Sequence, residues 1–149
     1  MKIIADLQIH GPYARATSKN TTFSLLEQYA RIKGLSLLGC GDFQHPTWNR
    51  IIKESLTEDE NGILWTKTKF PFLWQTEISL IYTQEGKGCR VHHLIYAPDK
   101  GIADQVIESL EKKGRLDYDG RPIFGFNSVE LVDMMMEISK YIEIIPAHA

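Results

Sequence analysis

The chain has 149 residues, a length that gives one domain with a real hydrophobic core and excludes a bare linker or a repeat array. Its 43% hydrophobic and 24% charged residues are those of a folded domain, not of a disordered or collagen-like chain. With 17 basic against 19 acidic residues the net charge is -2, so no global field draws in nucleic acid or anionic lipid, and any contact with phosphate has to be local.

Ile3 to His10 reads as a short buried strand, apolar up to Asp6 and stopped by Gly11 and Pro12. A polar loop, Tyr13 to Asn20, leads to a helix from Thr22 to Lys33 with Phe23, Leu26, Tyr29 and Ala30 along one face, a Thr cap and Gly34 as its stop. Leu35 to Cys40 is a second strand that runs into the turn Gly41-Asp42-Phe43-Gln44-His45-Pro46. Trp48 to Leu56 forms a short helix, and Glu58-Asp59-Glu60-Asn61-Gly62 an acidic surface excursion. Phe72 to Tyr82 and Cys89 to Ala97 are rich in β-branched and aromatic residues, and the Glu85-Gly86-Lys87-Gly88 turn between them predicts an antiparallel hairpin. A helix from Ile102 to Lys113 stops at Gly114. Another starts near Asn127 with Glu130 in a capping-box spacing, and its Met134-Met135-Met136 run reads as core filler. Tyr141 to Ile145 is an apolar strand that ends in Pro146-Ala147-His148-Ala149.

Strands alternating with helices predict an α/β domain whose mostly parallel sheet is covered on both faces. Only about five strands are visible, so the expected architecture is an N-terminal piece of a larger β/α barrel-like domain with apolar edges left open. Cys40 and Cys89 form no Cys-x-x-Cys pair, no secretory leader precedes them, and no run approaches the ~18 apolar residues of a membrane helix. A soluble, cytoplasmic protein is expected.

The chemistry lies in five histidines. His10, His45 and His148 fall at or just after the carboxyl ends of strands, where the loops of α/β barrels converge. His92 and His93 lie within the hairpin. Asp6 and Asp42 stand at similar strand ends, and Glu77 lies in the apolar run from Trp74 to Ile81. A Glu there needs a partner if buried, so Glu77 is either a metal ligand or an exposed carboxylate of an edge strand. If Tyr82 or Thr83 pairs near Gly88 or Cys89, Glu77 faces Leu94 or Ile95, within one pleat of His92 or His93, and the register selects which histidine shares a metal with it. Imidazole and carboxylate without thiolate suit zinc, manganese or iron, and two or three such ions close together are equipment for phosphoester hydrolysis. Arg15 and Lys19, in the loop after His10, are either phosphate ligands or members of an ordinary solvated loop. No P-loop, dinucleotide fingerprint or Gly-x-Ser-x-Gly elbow is present, which leaves triphosphatase, dehydrogenase and serine hydrolase readings unsupported.

In this order, Asp6-Leu7-Gln8-Ile9-His10, Gly39-Cys40-Gly41-Asp42, Thr76-Glu77-Ile78-Ser79, Val91-His92-His93-Leu94 and Pro146-Ala147-His148 resemble the PHP (polymerase and histidinol phosphatase) superfamily, across the whole chain. More narrowly, Arg15-Ala16-Thr17-Ser18-Lys19-Asn20, the turn from Gly41 to Pro46, and His92 to Asp99 resemble the PHP domain of the endonuclease Q family. The resemblance implies a partial distorted β/α (TIM-like) barrel, residues 1–149 being the N-terminal part of one PHP-like domain. It implies two or more divalent ions (zinc, manganese or magnesium) and nicking of DNA on the 5′ side of deaminated bases or abasic sites. His10, Glu77, His92 and His148 match the superfamily's ligands, with Glu77 as the bridging carboxylate, and Asp42 matches the Asp of its Thr-Asp-His. Gln8 stands where the first His is usual and Phe43 where the last one is, a place His45 can fill. The metal set implied is thus His10, Asp42, His45, Glu77, one of His92 and His93, and His148, with Glu77, Asp42 and His45 catalytic. A small-molecule phosphatase and a non-catalytic metal- or partner-binding role are the alternatives.

Overall fold

A computed structural model of the chain describes residues 2–148. The elements follow in the order β1 (Ala5–Asp6), α1 (Phe23–Ile32), β2 (Leu37–Gly39), α2 (Pro46–Ser55), β3 (Thr57–Glu58), β4 (Leu64–Trp65), β5 (Pro71–Gln84), β6 (Lys87–Ala97), α3 (Lys100–Glu111), β7 (Ile123–Phe124), α4 (Ser128–Ile138) and β8 (Glu143–Ala147).

All eight strands join one sheet organised around the long β5. Its start pairs in parallel with β2, which pairs in parallel with β1, and antiparallel with β4, which carries β3. Further along, β5 pairs antiparallel with β6 and in parallel with β7, and β6 carries β8 antiparallel on its other edge. The sheet is therefore mixed rather than mostly parallel, and it is open. The additional strands are two-residue pieces, too short to show a period: β3 and β4 fold the acidic excursion into a hairpin, and β7 sits in the loop before α4.

Side-chain alternation along β5 divides the molecule. Phe72, Trp74, Ile78 and Leu80 point to one face and are buried. They form a single core with Phe23 of α1, Trp48 and Ile52 of α2, Val106 and Leu110 of α3, and Leu131 and Met135 of α4. Phe23 stacks on Trp48 at 4.7 Å and meets Phe72 edge-on at 5.2 Å. Gln75, Glu77 and Ser79 point to the other face and are buried too, Gln75 and Glu77 beneath the segment that follows β1. In place of the expected apolar, helix-covered surface, this face is polar at its centre.

Helix boundaries follow their caps. Thr22 Oγ1 accepts from Leu25 N, Asp99 Oδ1 from Ile102 N, and Asn127 Oδ1 from Glu130 N. Pro46 opens α2 at its first position, so that helix starts two residues before Trp48. The Glu130 carboxylate pairs with Lys113 Nζ at 2.6 Å, leaving the capping box half formed. Two expected core positions are outside it: Tyr29 is 58% and Met136 41% exposed, because the buried stripes run through Glu27 and Ala30 on α1 and Leu131 and Met135 on α4.

The expected strand from Ile3 to His10 contracts to two residues at a free edge, and Ile3 and Ile4 are exposed instead of buried. Tyr141 and Ile145 at the opposite edge are exposed as well. Among the described residues no helix is long and apolar enough to cross a membrane.

Candidate metal centre

The segment after β1 is held from several sides. Tyr96 Oη donates to Leu7 O, Gln8 N donates to Asp6 Oδ1, Ile9 N to Gln75 Oε1 and Gly11 N to Asp42 Oδ2. These bonds aim Gln8 and His10 across the open face toward β5. Asp42 reaches the same place from the end of β2 with a positive φ of 44°, in the left-handed region where a short polar side chain is tolerated.

Glu77 lies at the centre, fully buried and in register with Leu94. His92, two residues from Leu94, shares its face, whereas His93 pairs with Ile78 and belongs to the opposite one. The two carboxylate oxygens serve different groups. Oε2 accepts from Gln8 Nε2 at 3.2 Å and lies 3.1 Å from His10 Nε2. Oε1 lies 2.9 Å from His92 Nδ1, 3.7 Å from His148 Nε2 and 3.4 Å from Arg121 Nη1. His10 Nδ1 is 2.8 Å from Asp42 Oδ1, so Asp42 orients the ring whose other nitrogen faces Glu77.

The charges are interlocked. The bond to Asp42, followed by that to Glu77, outweighs burial and pushes His10 up to about 9, so it is cationic at neutral pH when no metal is bound. Burial raises the Asp42 carboxyl. Burial would raise Glu77 too, but hydrogen bonds from His10 and Gln8 and the charges of His10 and Arg121 hold it at about 2. Burial, followed by the charge of Arg121, lowers His92 against the opposing pull of Glu77.

A metal fits this donor set. One ligand atom from each of Glu77, His92 and His148 lies within 4.8 Å of the others. His92 Nδ1 is buried 2.9 Å from Glu77 Oε1, and His148 Nε2 lies 3.7 Å from the same oxygen. Two imidazole nitrogens converging on one carboxylate are the ligand types a divalent cation takes.

His10, Asp42, Glu77, His92 and His148 are thus brought together, and the other candidates are not. His93 Nδ1 is buried without a partner on the core face. His45 caps the start of α2 and stacks on Tyr13 at 4.4 Å, so it does not enter the space near Phe43, which is fully buried against Trp74. Asp6 bonds its own chain at Gln8 N. Arg15 pairs with Asp119 at 3.0 Å, and Lys19 Nζ donates to Pro12 O at 3.0 Å.

Two further residues have no signal in the sequence. Arg121 reaches Glu77 from the entrance to β7. Gly120 permits the approach: its N–H donates to Tyr13 O, its carbonyl accepts from Gln44 Nε2, and a Cβ on it would lie 2.3 Å from Asp42 Oδ2. Both belong to an irregular loop that only the tertiary fold carries to the cluster.

No protein-family model matches the chain. Over 144 residues it is 31% identical to an uncharacterised protein of Methanocaldococcus jannaschii, covering 96% of this chain and 16% of that one. The fold superimposes on the lesion-specific endonuclease of Pyrococcus furiosus with a TM-score of 0.83 and 28% identity. The chain is similar to endonuclease Q. The match covers 97% of this chain and 34% of the endonuclease, and a second structure with the same agreement is endonuclease Q with a 27-mer duplex carrying an abasic lesion at its active site. The chain thus spans about a third of the solved enzyme and a sixth of the curated relative.

Proposed function

We propose that this chain is a PHP-like, metal-dependent phosphodiesterase module that acts on damaged DNA, nicking 5′ of deaminated bases or abasic sites in the manner of endonuclease Q. The observation that carries the reading is the convergence of His10, Glu77, His92 and His148 on one open sheet face, within a fold so similar to that of a lesion-specific endonuclease. The open sheet corresponds in this reading to part of a distorted β/α barrel, with the cluster on its inner side.

Glu77 is kept ionised by its surroundings, and its two oxygens face two separate groups of donors, as a ligand shared between two cations requires. Glu77, His92 and His148 would hold a divalent ion, which would supply Lewis-acid polarisation of a phosphodiester and a lowered pKa for nearby water. Asp42 fixes the His10 ring through Nδ1. Arg121 brings a guanidinium to the edge of the cluster, suited to a phosphoryl oxygen once Glu77 is engaged elsewhere. Arg15, paired with Asp119, and Lys19, bonded to Pro12 O, stand in the loop that follows His10, and in this reading they exchange these partners for the phosphates of the substrate.

The test is incubation of labelled duplexes carrying one uracil, hypoxanthine or abasic site with the chain and manganese, zinc or magnesium. Nicks on the 5′ side of the lesion, abolished by EDTA, are expected. Intact DNA together with hydrolysis of p-nitrophenyl phosphate would replace this reading with a small-molecule phosphatase, and inertness toward both would leave a non-catalytic binding role.

A further inference from the structure

We infer that Gln8 is a ligand-forming residue that sets the metal preference of the Glu77 centre, moving it toward oxygen-seeking divalent ions such as manganese and away from zinc. The inference rests on the reading of Glu77, His92 and His148 as metal ligands. The Gln8 amide lies inside the cluster: Nε2 is 3.2 Å from Glu77 Oε2 and 3.1 Å from His148 Nε2. Its backbone is fixed on both sides, by Tyr96 at Leu7 O, by Asp6 at Gln8 N and by Gln75 at Ile9 N. Only the side-chain torsions are free to change what the amide presents.

With no cation bound, the amide NH2 donates to Glu77 Oε2 and lies against His148 Nε2. A cation shared by these same two groups takes their lone pairs and repels an NH2 placed against them. Rotation about the terminal torsion, which is broad and roughly two-fold, puts the carbonyl Oε1 where the NH2 was. The donor set then becomes two imidazole nitrogens, one carboxylate oxygen and one amide oxygen. Carbonyl and carboxylate oxygens suit manganese and magnesium, and added imidazole suits zinc, so the identity of residue 8 sets the balance. No covalent step is involved, and Gln8 is exposed, so its replacement leaves the core untouched.

Calorimetric titration of the metal-free chain with Mn²⁺ and with Zn²⁺ tests this without reference to turnover. Gln8→His should raise the zinc-to-manganese affinity ratio at least tenfold. Gln8→Leu should weaken manganese about tenfold while changing zinc less, and Gln8→Glu should tighten manganese. Ratios within twofold of the unsubstituted chain in all three variants would overturn the role of Gln8 and leave the metal centre standing. Absence of saturable binding by the unsubstituted chain would overturn the metal centre itself, and the inference with it.

Discussion

Replacing Glu77 by Gln keeps the shape of the side chain and removes the one negative charge on which the cluster converges. The carboxylate is fully buried, with Gln8, His10, His92 and Arg121 all within 3.4 Å. Hydrogen bonds to a charged group contribute about 1.5–3 kcal/mol each, and uncoupling a buried pair by removing one partner costs about 3–5 kcal/mol. The second range applies, since the cations of His10 and Arg121 would face a neutral amide while Asp42 still anchors His10. At about 2–4 °C per kcal/mol for a domain of this size, the metal-free variant should melt roughly 6–20 °C lower. Metal affinity should fall by more than the 10–100-fold typical of an outer-shell partner, and cleavage in single turnover should vanish. The assay pairs calorimetric melting of the metal-free protein with metal content and cleavage measured on the same samples. A variant with unchanged melting temperature, full metal content and wild-type cleavage would refute the bridging role and reduce Glu77 to a buried structural carboxylate.

Gly120→Ala should behave as an overpacked core position, costing about 1–3 kcal/mol and weakening metal binding by displacing Asp42, since the new Cβ would stand 2.3 Å from Asp42 Oδ2; unchanged metal affinity by titration would show that the loop yields without moving Asp42. Glu27 supplies a pH test remote from the centre: burial would raise its carboxyl, but the Thr68 and Thr66 hydroxyls and Arg31 lower it below its ordinary 4.5. Its contribution is therefore present above pH 4.5 and lost as pH falls through the lowered value, so the gap in melting temperature between the chain and Glu27→Gln, worth about 1 kcal/mol at neutral pH, should close in acid. A gap that widens in acid would reverse the assignment. Lys19→Ala should raise KM for a lesion duplex more than it lowers kcat, and Arg121→Gln should lower kcat, measured by steady-state and single-turnover cleavage. The exposed Ile3, Ile4, Tyr141 and Ile145 at the two sheet edges should make the chain associate with rising concentration in sedimentation, and a monomer at all concentrations would contradict this.

The sequence carried the larger elements because their signals are local. Cap residues at Thr22 and Asn127, the Glu85–Gly88 turn and the β-branched runs on either side mark α1, α4 and the β5–β6 hairpin directly, and the turn also fixes the register that sets Glu77 against Leu94. The choice between His92 and His93 was open from sequence, since it depends on which face the register turns toward the cluster. The fate of His45 is equally illegible: its position just after a strand end and the place left by Phe43 suggest a ligand, but its ring is captured by Tyr13 at the start of α2. Arg121 and Gly120 were missed because a loop of Arg, Asp and Gly residues has no period, and its value comes from reaching loops more than 70 residues away in the chain, as the Gly120 carbonyl does in accepting from Gln44. The mixed character of the sheet is illegible in the sequence for a related reason, β3, β4 and β7 each being two residues long.

The central claim is that Glu77, His92 and His148 form a divalent metal centre, with His10 held beside them by Asp42. Anomalous diffraction from crystals grown with Mn²⁺ tests it most directly. The account predicts a peak between the Glu77 carboxylate, His92 Nδ1 and His148 Nε2, lost in crystals of Glu77→Gln. A map with no peak there, or with manganese only at unrelated surface carboxylates, would contradict it.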